Sequence, residues 1–126
     1  MATSANYADL AEIYSTDTEY EVGTVMAIGG DAETTEYDKT KSVFGVISEK
    51  PGFLMNKDAE GQAIAFVGRV PVKVKGAVSK GDKVFADDGG VATTTKKGEL
   101  IGFALATDTN ESTKLVEVAL RLINNS

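Results

Sequence analysis

The stretch AIAFVGRVPVKV, residues 63–74, has the pattern of a β-strand. Its apolar side chains recur at alternate positions, as in a β-strand with one buried face. These inward side chains are Ile64, Phe66, Val70, Val72 and Val74. Arg69 and Lys73 alternate with them, and Lys75 follows, so these cations would point outward. Pro71 has no backbone N–H to donate, which predicts that the strand lies at a sheet edge or is bulged there.

Two more segments have the same period of two: VGTVMAI at residues 22–28 and LVEVALRL at residues 115–122. Short apolar runs separated by Gly and Asp are typical of strands joined by turns, and the chain contains 13 glycines. The sequence therefore predicts an all-β fold, a small barrel or sandwich of short antiparallel strands. A chain of 126 residues has the size of one domain. We place that domain at residues 22–126, after an N-terminal arm at residues 1–21.

The composition argues against several functions. The formal net charge of −6 disfavours nucleic acid and anionic membranes as partners, because both are bound through clustered Lys and Arg. The chain has no cysteine, which excludes disulfides and thiolate metal sites. It also has no histidine, the commonest general base and the preferred ligand of zinc and copper. We therefore expect no catalytic residue, no metal and no cofactor.

Two halves of the chain align with each other. Residues 23–48, GTVMAIGGDAETTEYDKTKSVFGVIS, match residues 81–105, GDKVFADDGGVATTTKKGELIGFAL. The alignment pairs these glycines: Gly23 with Gly81, Gly29 and Gly30 with Gly89 and Gly90, and Gly45 with Gly102. We predict an internal duplication, in which each copy is a hairpin followed by a strand that carries a central glycine.

The stretch VFADDGGVATTT, residues 84–95, combines two carboxylates with two glycines. This composition suits a metal site, a phosphate-binding loop or a turn. A phosphate-binding loop needs a helix start or a lysine after the glycines, whereas a strand pattern follows here. Asp and Gly accept the positive φ of tight hairpins, so we predict a hairpin tip at residues 87–90.

A second acidic stretch, NKDAEG at residues 56–61, has the spacing of the first half of an EF-hand loop. The match then fails, because Val67 stands where that loop needs a bidentate Glu. We interpret the stretch as an exposed connection, with weak Ca²⁺ binding as the alternative.

The N-terminal arm has a spacing typical of a short helix. Tyr7, Leu10, Ala11 and Tyr14 follow one another at i, i+3, i+4 and i+7, which would place them on one helical face. A helix this short is unstable in isolation. It would therefore dock on its own barrel or become ordered against a neighbour. We expect the arm to be poorly ordered in the free protein and dispensable for the fold.

An apolar run follows Pro51 and Gly52. Consecutive apolar residues in a loop require burial, either against the loop's own barrel or against a partner. Together with the arm, this loop gives the predicted contact surface. Its residues are Tyr7, Leu10, Tyr14, Phe53, Leu54 and Met55.

The stretches YADLAEIYSTDTEYEVGTVMAIGG, VFGVISEKPGFLMN and VGRVPVKVKGAVSKGD resemble a module of tailed-bacteriophage structural proteins, found in tail fibres, appendages and head proteins. The second half of the chain, from AIAFVGRVPVKVKGAVSKGDKVF to LVEVALRLI, is also similar to small head decoration, or cement, proteins. The chain begins at Met1, stops soon after the last strand pattern and has no fibre repeats, which favours decoration over a fibre.

The resemblance implies a cement protein on the outer surface of the expanded capsid, with the major capsid protein as partner and a homotrimer as assembly. Such a protein stabilises the expanded shell because it binds that state and not the looser ones. The alternative is a tail-fibre or appendage module of the virion. A third possibility is a small carbohydrate-binding or self-cleaving module.

Overall fold

The computed structural model describes residues 8–122, which contain ten β-strands and no helix. In chain order the strands are β1 (Asp9–Tyr14), β2 (Val25–Ile28), β3 (Thr34–Glu36), β4 (Val43–Ile47), β5 (Phe53–Met55), β6 (Gln62–Val74), β7 (Lys83–Asp87), β8 (Val91–Thr93), β9 (Leu100–Ala104) and β10 (Lys114–Arg121). The all-β prediction is confirmed.

Five of these strands close into a small barrel, in the order β10, β9, β7, β8, β6 and back to β10. The closing pair is the most extensive: β6 and β10 run antiparallel from Lys114 opposite Val74 to Arg121 opposite Val67. The barrel is completed by one parallel contact between β6 and β8, in which Lys75 N–H donates to Ala92 O at 2.8 Å. The stretch 63–74 therefore lies in β6, the strand that closes the barrel by pairing with both β10 and β8.

The predicted duplication is confirmed by the strand pairing. We call β2, β3, β4 and β6 unit 1, and β7, β8, β9 and β10 unit 2. Each unit has the same order, a hairpin whose first strand also pairs with the third strand, which in turn pairs with the fourth. Each first strand has a register shift at the same place, between Met26 and Ala27 in unit 1 and between Val84 and Phe85 in unit 2.

The equivalence extends to single hydrogen bonds. In unit 1, Gly23 N–H donates to Ile47 O at 2.9 Å, and Ile47 N–H donates to Thr24 O at 3.0 Å. In unit 2, Gly81 N–H donates to Ala104 O, and Ala104 N–H donates to Asp82 O, both at 2.8 Å. Gly45 and Gly102 are each the third residue of their strand, and residues 88–90 form the expected turn.

The two units contribute opposite faces to the main hydrophobic core. From unit 1 the core takes Val25, Ala27 and Val46, all fully buried. The positions equivalent to these in unit 2 are Lys83, Phe85 and Phe103, which the main core does not contain. Unit 2 instead supplies the other face of its sheet, namely Val84, Ala86, Ile101, Ala104, Val118 and Leu120.

The helix expected in the N-terminal arm is wrong. Asp9–Tyr14 forms strand β1, which pairs antiparallel with β6 and parallel with β5. A register shift between Leu10 and Ala11 interrupts the ladder with β6, and Ala11 is fully buried in the main core. Pairing with two strands satisfies more backbone groups than a short isolated helix could, so tertiary contacts override the helical spacing. The division into an arm at 1–21 and a domain at 22–126 stays a prediction.

The expectation that the strand containing Pro71 lies at a sheet edge or is bulged there is also wrong, because β6 pairs with β10, β1, β4 and β8, and its register with β10 is continuous through Pro71. The proline is accommodated locally. Lys73 N–H points away from β10 and donates to Gly23 O at 2.9 Å. Pro71 is two residues earlier, so its backbone nitrogen faces the same side as that of Lys73. On this side Pro71 lies between the residues that pair with β1 and those that pair with β8, so the absence of its N–H costs no ladder hydrogen bond.

Candidate interaction surface

The outward face of unit 2 carries large apolar side chains in the open. We define the outer face as Lys83 and Phe85 of β7, Leu100 and Phe103 of β9, and Ala119 and Arg121 of β10. Leu100 and Phe103 expose 41% and 40% of their surface. Lys83 lies opposite Phe103, and Phe103 lies opposite Ala119, so the face is one continuous row across three strands.

A groove of about 690 Å³ runs along this face. Its walls combine Phe85, Leu100 and Phe103 with the cations Lys83, Lys96 and Arg121, and with Glu99. Lys83, Lys96 and Arg121 make no ion pair with any residue in the range 8–122. The groove therefore combines apolar side chains with a net positive charge.

Two of the predicted contact residues continue the row on the next strands. Arg121 lies opposite Val67 of β6, Val67 opposite Leu10 of β1, and Leu10 opposite Phe53 of β5. Phe53 exposes 64% of its surface, the most of any large apolar residue in the range 8–122. The sequence thus named Leu10 and Phe53 from separate segments, and the structure places them side by side.

The other predicted contact residues are less accessible. Leu54 packs against the main core, and Met55 is half-buried opposite Glu12. Tyr14 packs its ring edge-to-face on Phe44, with ring centroids 4.9 Å apart and an interplanar angle of 89°. Tyr7 lies outside the described residues. The role of all six residues in an interface stays a prediction.

A buried carboxylate fastens β1 to the loop before β5. Asp9 exposes only 3% of its surface. One carboxylate oxygen accepts a hydrogen bond from the Ser48 hydroxyl at 2.7 Å, and the other accepts one from Gly52 N–H at 3.0 Å. The carboxylate borders a pocket of about 240 Å³ that Arg69 and Lys50 also line. Asp9 holds Leu10 and Phe53 in register, a role the sequence did not reveal.

Tyrosines and carboxylates are paired at the other end of β1. Tyr14 donates its hydroxyl hydrogen to Glu12 at 2.8 Å, and Tyr20 donates its hydroxyl hydrogen to Asp17 at 2.5 Å. Burial, followed by the hydrogen bond to Glu12, raises the pKa of Tyr14 to about 12. Burial and the bond to Asp17 likewise raise the pKa of Tyr20, while the same bond lowers the pKa of Asp17. These side chains are fixed in place and stay protonated (Tyr) or ionised (Asp17) near neutral pH.

The two acidic stretches form turns. Residues 88–90 form the hairpin tip, where Asp88 accepts a hydrogen bond from Lys39 N–H at 2.7 Å. Asn56, with φ of 58°, begins the exposed turn that contains Asp58 and Glu60. Within residues 8–122, no three acidic side chains converge in a way that could hold a metal ion. The same range holds no helix long and apolar enough to span a membrane.

Comparison with known proteins reveals a shared fold with a bacteriophage protein. No protein-family model and no curated protein sequence matches the chain. Among solved structures, it is similar to the pre-mature bacteriophage phi29 gene product 12, with a TM-score of 0.70 and 15% identity over 91% of this chain. It is also similar to the C-terminal fragment of that gene product, with a TM-score of 0.67 and 15% identity over 90% of this chain. The match covers all of the fragment but only 22% of the longer chain, so this chain has the fold of one module of a phage protein.

Proposed function

We propose that this chain is a structural module of a phage virion, carried in a tail fibre or appendage. The observation that supports this most is the match to phi29 gene product 12, which covers 100% of its C-terminal fragment but only 22% of the pre-mature chain. The same fold therefore serves as one module of a larger phage protein, as expected of fibres and appendages. The sequence resemblance to tail-fibre and appendage modules points the same way.

A non-enzymatic role is part of the proposal. The chain has no His and no Cys, and the range 8–122 has no cluster of acidic side chains suited to a metal. The tyrosines and carboxylates around β1 hydrogen-bond to one another, which fixes β1 and its neighbours. A small closed barrel with few exposed strand edges is a rigid element that resists mechanical strain. Such a barrel suits a part that presents surfaces and does no chemistry.

The finer alternative is capsid decoration, with the major capsid protein as partner, a homotrimer as assembly and the outer capsid surface as location. It rests on the sequence resemblance to cement proteins. Repeated contacts across a lattice would let modest interfaces hold the expanded shell. In this alternative, Leu10 and Phe53 at the β1–β5 edge would contact the shell.

The position of the protein in a purified particle tests both versions. Antibodies raised against the full chain would be bound to particles and seen by immunogold microscopy, or the barrel would be located in a reconstruction of the virion. We expect label at the tail. Label confined to the head would overturn the appendage proposal in favour of decoration. Particles without the protein would overturn both.

A further inference from the structure

We propose that the outer face is the surface through which one copy of this chain binds a second, and that the contact is head-to-tail. The inference deepens the proposed function, because it names the surface that assembles the module. It starts from the duplication, which makes the two units directly comparable. Val25, Ala27 and Val46 of unit 1 are fully buried in the chain's own core, whereas in unit 2 Lys83 and Phe103 are exposed and Phe85 is only half-buried.

Two of these three positions in unit 2 carry apolar side chains, although a face that only contacts water would carry polar ones. Phe85 and Phe103 stand at the positions of Ala27 and Val46, so two of the three counterparts carry larger apolar groups than the buried residues of unit 1. Leu100 adds a third apolar side chain to the same groove, and both Leu100 and Phe103 are exposed. Exposed apolar groups that share a groove mark a contact site, whereas isolated ones are ordinary.

The charge of the outer face favours a second copy of this chain as its partner. Lys83, Lys96 and Arg121 line the groove beside its apolar side chains and have no ion-pair partners in the range 8–122. The whole chain nevertheless has a formal net charge of −6, so the surface away from this face is acidic. A second copy brings that acidic surface to the cations, and complementary charges of this kind favour encounter and fix register.

The same charges determine the geometry. If two copies met through the same face, each would bring three cations and one carboxylate, Glu99, to the contact, and the net repulsion between the two positive faces would oppose association. The outer face must therefore meet a different surface of the second copy. Such heterologous contacts close into rings when the rotation permits, which agrees with the trimer expected from the sequence.

The mass of the purified chain in solution tests the proposal. Light scattering and sedimentation equilibrium would compare the parent chain with Lys83→Glu/Arg121→Glu and with Phe103→Ser. We expect the parent to associate and both variants to weaken association by about tenfold or more. The matched controls are Lys57→Glu/Lys80→Glu, the same charge change on exposed lysines elsewhere, and Ile28→Ser, an apolar residue 56% exposed outside the face. Melting curves confirm that each variant is folded.

A mixing experiment tests the geometry. In a head-to-tail contact, the Phe103→Ser variant keeps the surface that a parent copy binds, whereas in a face-to-face contact every parent–variant pair would lose this apolar group. A labelled variant should therefore fail to associate with itself but be captured by the parent chain. Exclusion of the variant from parent assemblies would overturn the head-to-tail geometry. A parent chain that stays monomeric, or variants that associate as well as the controls do, would overturn the proposal itself. Neither result depends on where the protein lies in a virion, so the proposed function is tested separately.

Discussion

Gly102 packs directly against the carbonyl oxygen of Ala119 on the neighbouring strand, so closely that a side chain on Gly102 would overlap that oxygen. Gly45 has the same relationship in unit 1, where a Cβ would lie 2.6 Å from Ala65 O. Both glycines stand opposite the first residue of a register shift, Met26 and Val84. The duplication therefore repeats a close backbone approach that only glycine permits.

Replacing either glycine by alanine should destabilise the barrel. We expect Gly102→Ala and Gly45→Ala each to lower the free energy of unfolding by about 1–3 kcal/mol, because the methyl group forces the neighbouring strand to move. Urea unfolding followed by circular dichroism measures the change. Gly89→Asn is the control: this hairpin glycine has φ of 88° with open space around it, and Asn tolerates such a conformation. If Gly102→Ala were as stable as the control, the strand would not be held as described.

Deleting β1 should unfold or strongly destabilise the protein, contrary to the expectation of a dispensable arm. Removal of residues 1–14 exposes the strand edges of β5 and β6 and takes Ala11 and Asp9 out of the interior. We expect the free energy of unfolding to fall by about 3 kcal/mol or more. A chain that lacks only residues 1–7 is the control. A deletion of residues 1–14 that melts like this control would show that β1 does not belong to the folded barrel.

The sequence predicted the elements whose pattern has one interpretation. The strand at residues 63–74, the glycine turn at 87–90 and the repeat of Gly45 as Gly102 all appear in the structure. The single buried face expected for that strand is wrong in its first half: Val70, Val72 and Val74 lie in the main core, but Ile64 lies in a second cluster with Met26 and Ile47, and Ala63 and Ala65 take its place in the main core. Residues 9–14 were misassigned because their apolar spacing fits both a helix and a strand. Only the long-range pairing of β1 with β5 and β6 decides between the two, and that pairing is not visible in the segment itself.

The sequence pointed to only part of the exposed apolar surface, for a similar reason. Leu10 was singled out by a helical spacing that the structure does not bear out, and Phe53 by the apolar run after Pro51 and Gly52. Phe85 and Phe103 were missed because their strands are apolar on both faces, with Val84 and Ala104 next to them. Which face is buried depends on how unit 2 packs against unit 1, and alternation within one strand cannot reveal that. The sequence did contain one usable signal: Phe85 and Phe103 are apolar at positions where a strand buried on only one face would carry polar side chains.

The Asp9 carboxylate should contribute more stability than any exposed acid. Asp9→Ala leaves the Ser48 hydroxyl and Gly52 N–H without their acceptor, and we expect a loss of about 2–3 kcal/mol. Asp58→Ala, in an exposed turn, should change stability by no more than about 0.5 kcal/mol. A double-mutant cycle with Ser48→Ala should give a coupling energy of at least about 0.5 kcal/mol. Additive effects of the two substitutions would contradict a direct bond.

Chelation should leave the protein unchanged. The acidic turns at residues 56–61 and 87–90 are exposed, and no group of three acidic side chains converges within residues 8–122. We expect the melting temperature to be the same, within about 1 °C, with EDTA and with millimolar Ca²⁺. A clear rise in the melting temperature with Ca²⁺ that Asp58→Ala removes would instead support an ion site in the loop at residues 56–61.

The Tyr14 hydroxyl should make stability fall in alkaline solution. The pKa of Tyr14 is about 12 in the folded protein, above the value of 10.0 for an unperturbed tyrosine, because the ring is partly buried and the hydroxyl donates to Glu12. The unfolded chain therefore loses this proton first as the pH rises. Stability from the raised pKa is fully present below about pH 10 and is lost progressively between about pH 10 and pH 12.

Tyr14→Phe isolates this effect, because it keeps the ring against Phe44 but removes the ionisable group. The variant should lose less stability than the parent between about pH 10 and pH 12, as measured by melting curves at closely spaced pH values. Tyr20 and Tyr37 also have raised pKa values, so part of the alkaline loss should persist in the variant. Ultraviolet titration of the folded parent should show one more late-ionising tyrosine than the variant does. Identical alkaline profiles for the two chains would mean that Tyr14 ionises normally and that its bond to Glu12 is not held in solution.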